Sequence, residues 1–117
     1  MASAPTTDLR MNKGDDYSTT LTIYKNSVIE DITGYEITFT LKNQYLDPDS
    51  IAVYQQVKDT FDEPTEGKVI LSIPRAISRT FTRNSYIYDV QMKDADGLVR
   101  TIMRGPFYVD WDVTDTA

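Results

Sequence analysis

Several segments of this 117-residue chain alternate apolar and polar side chains with a period of two. That period fits a half-buried strand and no amphipathic helix. In residues 35–42, YEITFTLK, Tyr35, Ile37, Phe39 and Leu41 share one face, while Glu36, Thr38, Thr40 and Lys42 share the other. In residues 17–24, YSTTLTIY, the inward set is Tyr17, Thr19, Leu21 and Ile23. Residues 68–73 turn Val69, Leu71 and Ile73 inward, and residues 85–93 do the same with Tyr86, Tyr88, Val90 and Met92. All are rich in β-branched and aromatic residues, which suit a pleated surface. A slip of one residue would turn each apolar set to water, so the register is well specified.

The connections carry turn chemistry. Lys25-Asn26-Ser27 reads as a turn, with Val28 and Ile29 as a short strand after it. Residues 43–50, NQYLDPDS, form a polar link in which Pro48 forbids a central strand, and residues 53–57 read as a weaker edge strand. Residues 74–81, PRAISRTF, are the one helix-like piece: proline suits a first helical position, and Ile77 and Phe81 lie four apart. Residues 98–104 pair back on 85–93 across Asp94-Ala95-Asp96-Gly97. Gly105-Pro106 is expected to interrupt that run before Phe107, Val109 and Trp111 resume it. The expectation is an all-β, antiparallel β-sandwich of about seven strands, with one short helical turn near 74–81. Residues 1–12 read as an N-terminal arm, 13–111 as the domain and 112–117 as a polar tail.

Composition removes several classes of chemistry. There is no cysteine, hence no disulfide, thiolate metal site or cysteine nucleophile. There is no histidine, the commonest general base and metal ligand. The net charge of −6 argues against a broad nucleic-acid footprint. No apolar run approaches the roughly 20 residues of a membrane span, and MASAPTTDLR lacks a signal-peptide core. A soluble protein without an export signal of its own, without cofactor and without catalytic residues is expected.

Two acidic motifs invite a sharper reading. Asp94 and Asp96 begin like a calcium loop, but Leu98 stands where a third ligand belongs, and the twelfth residue counted from Asp94 is Gly105 rather than glutamate. Asp-Gly between two strands of matched period is a hairpin signal instead. Gly14-Asp15-Asp16 offers paired carboxylates, yet it precedes a strand, where a solvated turn is the simpler role. The serines lack both a G-x-S-x-G setting and a histidine to activate them.

What remains is surface. Residues 44–66 hold six acids, Asp47, Asp49, Asp59, Asp62, Glu63 and Glu66, against Lys58, so their balance is 1 − 6 = −5. Residues 67–83 hold Lys68, Arg75, Arg79 and Arg83 and no acid, giving +4. These are either solvated loops or an acidic edge and a basic edge facing different neighbours. Tyr24, Tyr45, Tyr54, Tyr108 and Trp111 fall on outward or edge positions, where they cap the core, anchor a protein contact or stack on a sugar.

The order of features resembles a small β-sandwich module of tailed bacteriophages. It is similar to the N-terminal domain of phage baseplate upper proteins and to related tail and neck accessory proteins. The matching pieces are KGDDYSTTLTIY (13–24), DITGYEITFTLK (31–42), GKVILSIP (67–74), YIYDVQMKDADGLVRTIMRGPFYV (86–109) and DVT (112–114). The resemblance implies an immunoglobulin-like sandwich with a structural role in a virion, in contact with other virion structural proteins, in several copies of a symmetric assembly, and with no catalytic residues, nucleic acid or membrane. The family usually carries further domains after this module, so the end at Ala117 leads to the expectation of a stand-alone accessory or decoration subunit. Arg75, Arg79, Arg83, Asp47, Asp49, Asp62, Glu63, Tyr24, Tyr54, Tyr108 and Trp111 are the interface candidates. A head decoration protein and a carbohydrate- or receptor-binding module are the alternatives.

Overall fold

The computed structural model describes residues 6–111. They form nine strands and one short helix: β1 (Leu9–Asn12), β2 (Tyr17–Thr22), β3 (Tyr24–Lys25), β4 (Val28–Ile29), β5 (Glu36–Lys42), β6 (Tyr54–Lys58), β7 (Lys68–Ile73), α1 (Arg75–Ser78), β8 (Ser85–Lys93) and β9 (Val99–Asp110). The protein is all-β. One sheet has five strands in the order β1-β9-β8-β5-β6, a second pairs β2 with β7, and β3 and β4 form a separate hairpin. Asn26 and Ser27 both take positive φ there (54° and 66°), as a two-residue hairpin loop of this hand requires.

The alternation read from the sequence is the inward face. Ile37, Phe39 and Leu41 of β5, Tyr86, Tyr88, Val90 and Met92 of β8, Met103, Phe107 and Val109 of β9, and Val69, Leu71 and Ile73 of β7 are all buried in one core. Phe107 joins the two sheets: its ring centre lies 5.4 Å from Tyr17 of β2, 6.4 Å from Phe39 and 6.4 Å from Tyr88. Edge-on aromatic contacts of this kind add to the area they bury. At one side the Gln56 amide crosses from β6 to β7, with its Nε2 donating to Ser72 Oγ (3.1 Å) and its Oε1 accepting from Ser72 N–H (3.0 Å).

Three sequence expectations are corrected. First, not every pairing is antiparallel, and the presumed arm contains a strand. Leu9–Asn12 runs parallel to β9, Leu9 opposite Phe107 and Met11 opposite Val109. Second, Gly105-Pro106 does not interrupt β9; the irregularity falls between Val90 and Gln91 of β8, where the register to β9 shifts from Met103 to Thr101. Pro106 is tolerated because its missing N–H points away from β8, toward the parallel segment. There a ladder would send the N–H of residue 106 to the carbonyl of Thr7. The Tyr88 hydroxyl donates to that carbonyl instead, at 2.6 Å. Gly105 makes this possible: a Cβ there would overlap the Thr7 carbonyl oxygen and lie 3.1 Å from its carbon. Third, Trp111 does not resume the inward alternation of Phe107 and Val109; it is exposed, in keeping with its outward or edge reading. The expected tail, 112–117, lies outside the described residues.

The helical turn expected near 74–81 is α1, four residues long, with Pro74 before it. Its Ser78 is fully buried and pins the β1–β2 turn, donating to the Asp15 carbonyl (2.7 Å) and accepting from Gly14 N–H (3.2 Å). Asp16 Oδ1 accepts the Arg75 N–H at 2.8 Å. The Gly14-Asp15-Asp16 stretch therefore builds a turn and caps a helix.

Candidate interaction surface

The parallel pairing of β1 with β9 gathers residues from the two ends of the chain. Leu9 and Met11 turn inward, so Arg10 and Asn12 face out. Arg10 stands opposite Tyr108 in the register, and its guanidinium carbon lies 5.0 Å from the centre of that ring. Its Nη1 donates to Asp110 Oδ1 at 2.7 Å, and this hydrogen bond raises the Arg10 pKa. Both side chains are open to solvent, so the pair orients the guanidinium rather than stabilising the fold. One step on, Lys13 N–H donates to the Asp110 carbonyl at 2.7 Å, and Lys13 Nζ sits 4.4 Å from the Trp111 ring centre. The result is a row of Tyr108, Arg10, Asp110, Lys13 and Trp111 along one edge.

A groove of ≈ 550 Å³ runs beside this row, lined by Arg10, Thr82, Asn84, Tyr108, Asp110 and Trp111. Its far wall is fixed. The Tyr86 hydroxyl accepts the N–H groups of Thr82 (3.0 Å) and Arg83 (3.1 Å), and the Asn84 carbonyl accepts Val109 N–H at 2.8 Å. Arg83 is exposed between two lining residues. Arginine, tyrosine and tryptophan on a rigid edge are the residue types that dominate protein interfaces.

The structure thus brings Tyr108 and Trp111 to one groove, leaves Arg83 exposed between two of its lining residues, and adds Arg10, Lys13 and Asp110, which sequence reading missed. The signal for Arg10 was the Leu9/Met11 alternation, too short to stand out. The other expected residues are dispersed. Arg75 begins α1 and is partly exposed; Arg79 is exposed just after it. Tyr24 is exposed on the β3–β4 hairpin. Tyr54 is half-buried, its ring centre 6.5 Å from Phe39, so it packs on the core. The acidic edge is partly spent internally: Lys42 Nζ bonds Asp49 Oδ1 (2.7 Å) and the Asp47 carbonyl (2.8 Å), which lowers the Asp49 pKa. Asp62 is exposed, and Glu63 pairs across the expected divide with Lys68 at 3.3 Å.

Asp94 is used up by its own turn. Its Oδ1 accepts the N–H groups of Asp96 (2.9 Å) and Leu98 (3.0 Å), and its N–H donates to the Leu98 carbonyl at 2.9 Å. Among the described residues no group of three or more carboxylates, histidines or cysteines is placed to hold a metal. The Asp94-to-Gly97 stretch turns the chain.

A smaller pocket, ≈ 110 Å³, lies on the outer face of the five-stranded sheet between Thr40, Lys42, Tyr45, Asp89 and Arg104. Burial raises the pKa of the half-buried Asp89, Lys42 opposes that shift and Asp49 adds to it. A raised folded-state value favours the protonated form. Its stabilising contribution is full below the unfolded carboxyl value of about 3.9 and fades as pH rises through the folded value. Asp89→Asn should therefore raise Tm at neutral pH and lose that gain near about pH 3. A gain of equal size at both pH values would contradict burial as the cause.

No protein-family model matches the chain, and no curated protein matches it in sequence.

Proposed function

We propose that the protein is an immunoglobulin-like sandwich serving as a structural subunit of a bacteriophage particle. It sits at the tail, baseplate or neck, in several copies, and is held to other virion proteins by its surface. No catalytic role is proposed. Two features support the sandwich. Strands β9, β8 and β5 are neighbours in the order of an immunoglobulin G-F-C sheet, and β2 pairs with β7 as strand B does with E. Tyr86, near the start of β8, bonds the backbone of Thr82, four residues upstream, as in the tyrosine corner of that fold.

The observation that carries the virion reading is positional. The phage-like motifs fall in order on successive elements: the G-D-D turn into β2, D-I-T-G before β5, β7, then β8, its hairpin and β9. The exposed row of Arg10, Tyr108 and Trp111 supplies anchors for a protein partner.

The test is incorporation. Arg79→Glu with Arg83→Glu spares Arg75, whose N–H is capped by Asp16 and where a glutamate would repel it. The double variant should fold with unchanged circular dichroism and be lost from purified particles. Unaltered incorporation would remove the basic edge from the docking surface. The groove also fits a second reading, a glycan site, since Trp111 and Tyr108 flank Asn84 and Asp110. Glycan-array binding lost in Trp111→Ala would favour it. However, one face of each ring already carries a cation.

A further inference from the structure

Among the described residues, strand β2 leaves one edge open. Ile23 N–H donates to the Gly67 carbonyl at 2.8 Å, which continues the β2–β7 register and fixes which groups face β7. Tyr17, Thr19 and Leu21 point their N–H and C=O groups at β7, so Ser18, Thr20 and Thr22 point theirs the other way. Ser72 agrees: it lies opposite Ser18, and its N–H faces away from β2 to reach Gln56. Among the described residues nothing takes the outward backbone groups of Ser18, Thr20 and Thr22.

Folded proteins guard such edges with charge, proline or a bulge. The other long edges here are guarded: β1 carries Arg10, β6 carries Lys58, and the outer edge of β7 carries Lys68 and is bridged at Ser72 by Gln56. Strand β2, YSTTLT, has no charge and no proline, and it pairs with β7 without a bulge. Its sheet has two strands, and a two-stranded sheet gains from a third.

We propose that this edge is a homodimer contact, with β2 of a second copy added antiparallel to form a continuous β7-β2-β2-β7 sheet. Three constraints select that occupant and register. Facing residues must share a sheet face, so odd positions meet odd and even meet even. Centring the two-fold axis on Thr20 sets Thr20 against itself and Ser18 against Thr22, which uses all the open groups in about six hydrogen bonds. Charge agrees with the antiparallel sense. Asp15 stands just before β2 and exposed Lys25 lies beyond its end, and this register sets each copy's Asp15 opposite the other's Lys25. A two-fold axis closes the contact at two copies. This dimer stands whether or not the protein belongs to a virion.

The full chain should sediment as a dimer that dissociates on dilution. Thr20→Pro removes an N–H that the fold does not use, and Thr20→Lys adds an edge charge at an exposed side chain. Both should weaken dimerisation on the order of tenfold or more with little change in Tm. Asp15→Lys should weaken it too, and adding Lys25→Glu should restore it. The chain has no cysteine, so Thr20→Cys reports register directly: it should oxidise to a covalent dimer, unlike Thr65→Cys at another exposed site. A wild-type chain monomeric at every concentration would overturn the proposal and leave the edge to a different protein. So would a dimer indifferent to both Thr20 variants, or equal crosslinking at Thr20 and Thr65.

Discussion

Phe107→Ala should cost about 3–5 kcal/mol of unfolding free energy, a large share of the roughly 5–15 kcal/mol that a domain of this kind has. The side chain is fully buried and touches rings from both sheets: Tyr17 of the small sheet, Phe39 and Tyr88 of the large one. Truncation removes transfer free energy and leaves a cavity between layers that cannot close without moving a sheet. Tyr108→Ala, one residue on, faces the groove and should cost about 1 kcal/mol or less. Urea unfolding of the pair measures the difference. Equal losses would mean that β9 does not present alternate residues to core and solvent.

The second large effect belongs to Gly105. An alanine Cβ there would overlap the Thr7 carbonyl oxygen and approach its carbon and nitrogen at 3.1 and 3.2 Å. These are backbone atoms that cannot swing aside. Overpacking of this sort costs about 1–3 kcal/mol, and here it acts on one contact. It pushes Thr7 off β9, breaking the Tyr88 hydroxyl bond and the Thr7 N–H bond to the Arg104 carbonyl at 2.9 Å. Gly105→Ala should therefore lower Tm and speed amide exchange at Leu9 and Met11, whose N–H groups face β9, ahead of the rest of the sheet. Tyr88→Phe should lose only the hydroxyl bond, about 1 kcal/mol. Unchanged protection of β1 in Gly105→Ala would show that this glycine does not seat the parallel segment.

Both cases show which parts of the fold were legible in the sequence. Period two located β5, β7 and β8 almost to the residue, because one buried face writes itself into consecutive positions. Strand β1 was not legible. It offers only Leu9 and Met11 inward, and its partner is at the far end of the chain. Nor was the continuity of β9 through Pro106, since which neighbour a missing N–H faces depends on sheet order, not on local sequence. The candidate interaction edge divides the same way. Tyr108 and Trp111 stood out as aromatics near a strand end, but Arg10 reaches Asp110 across 100 positions. Counting charge over residues 44–66 overstated the acidic edge, because Lys42 lies just outside that window and ties down Asp49.

The proposed virion role is tested by where the chain is found. In density-gradient-purified particles from a culture expressing this protein, quantitative mass spectrometry should find the chain co-migrating with the other structural proteins. Its ratio to them should be constant across the peak, and antibody labelling should mark one position on the particle. A chain confined to the soluble lysate, or varying in ratio across the peak, would contradict a structural place in the virion.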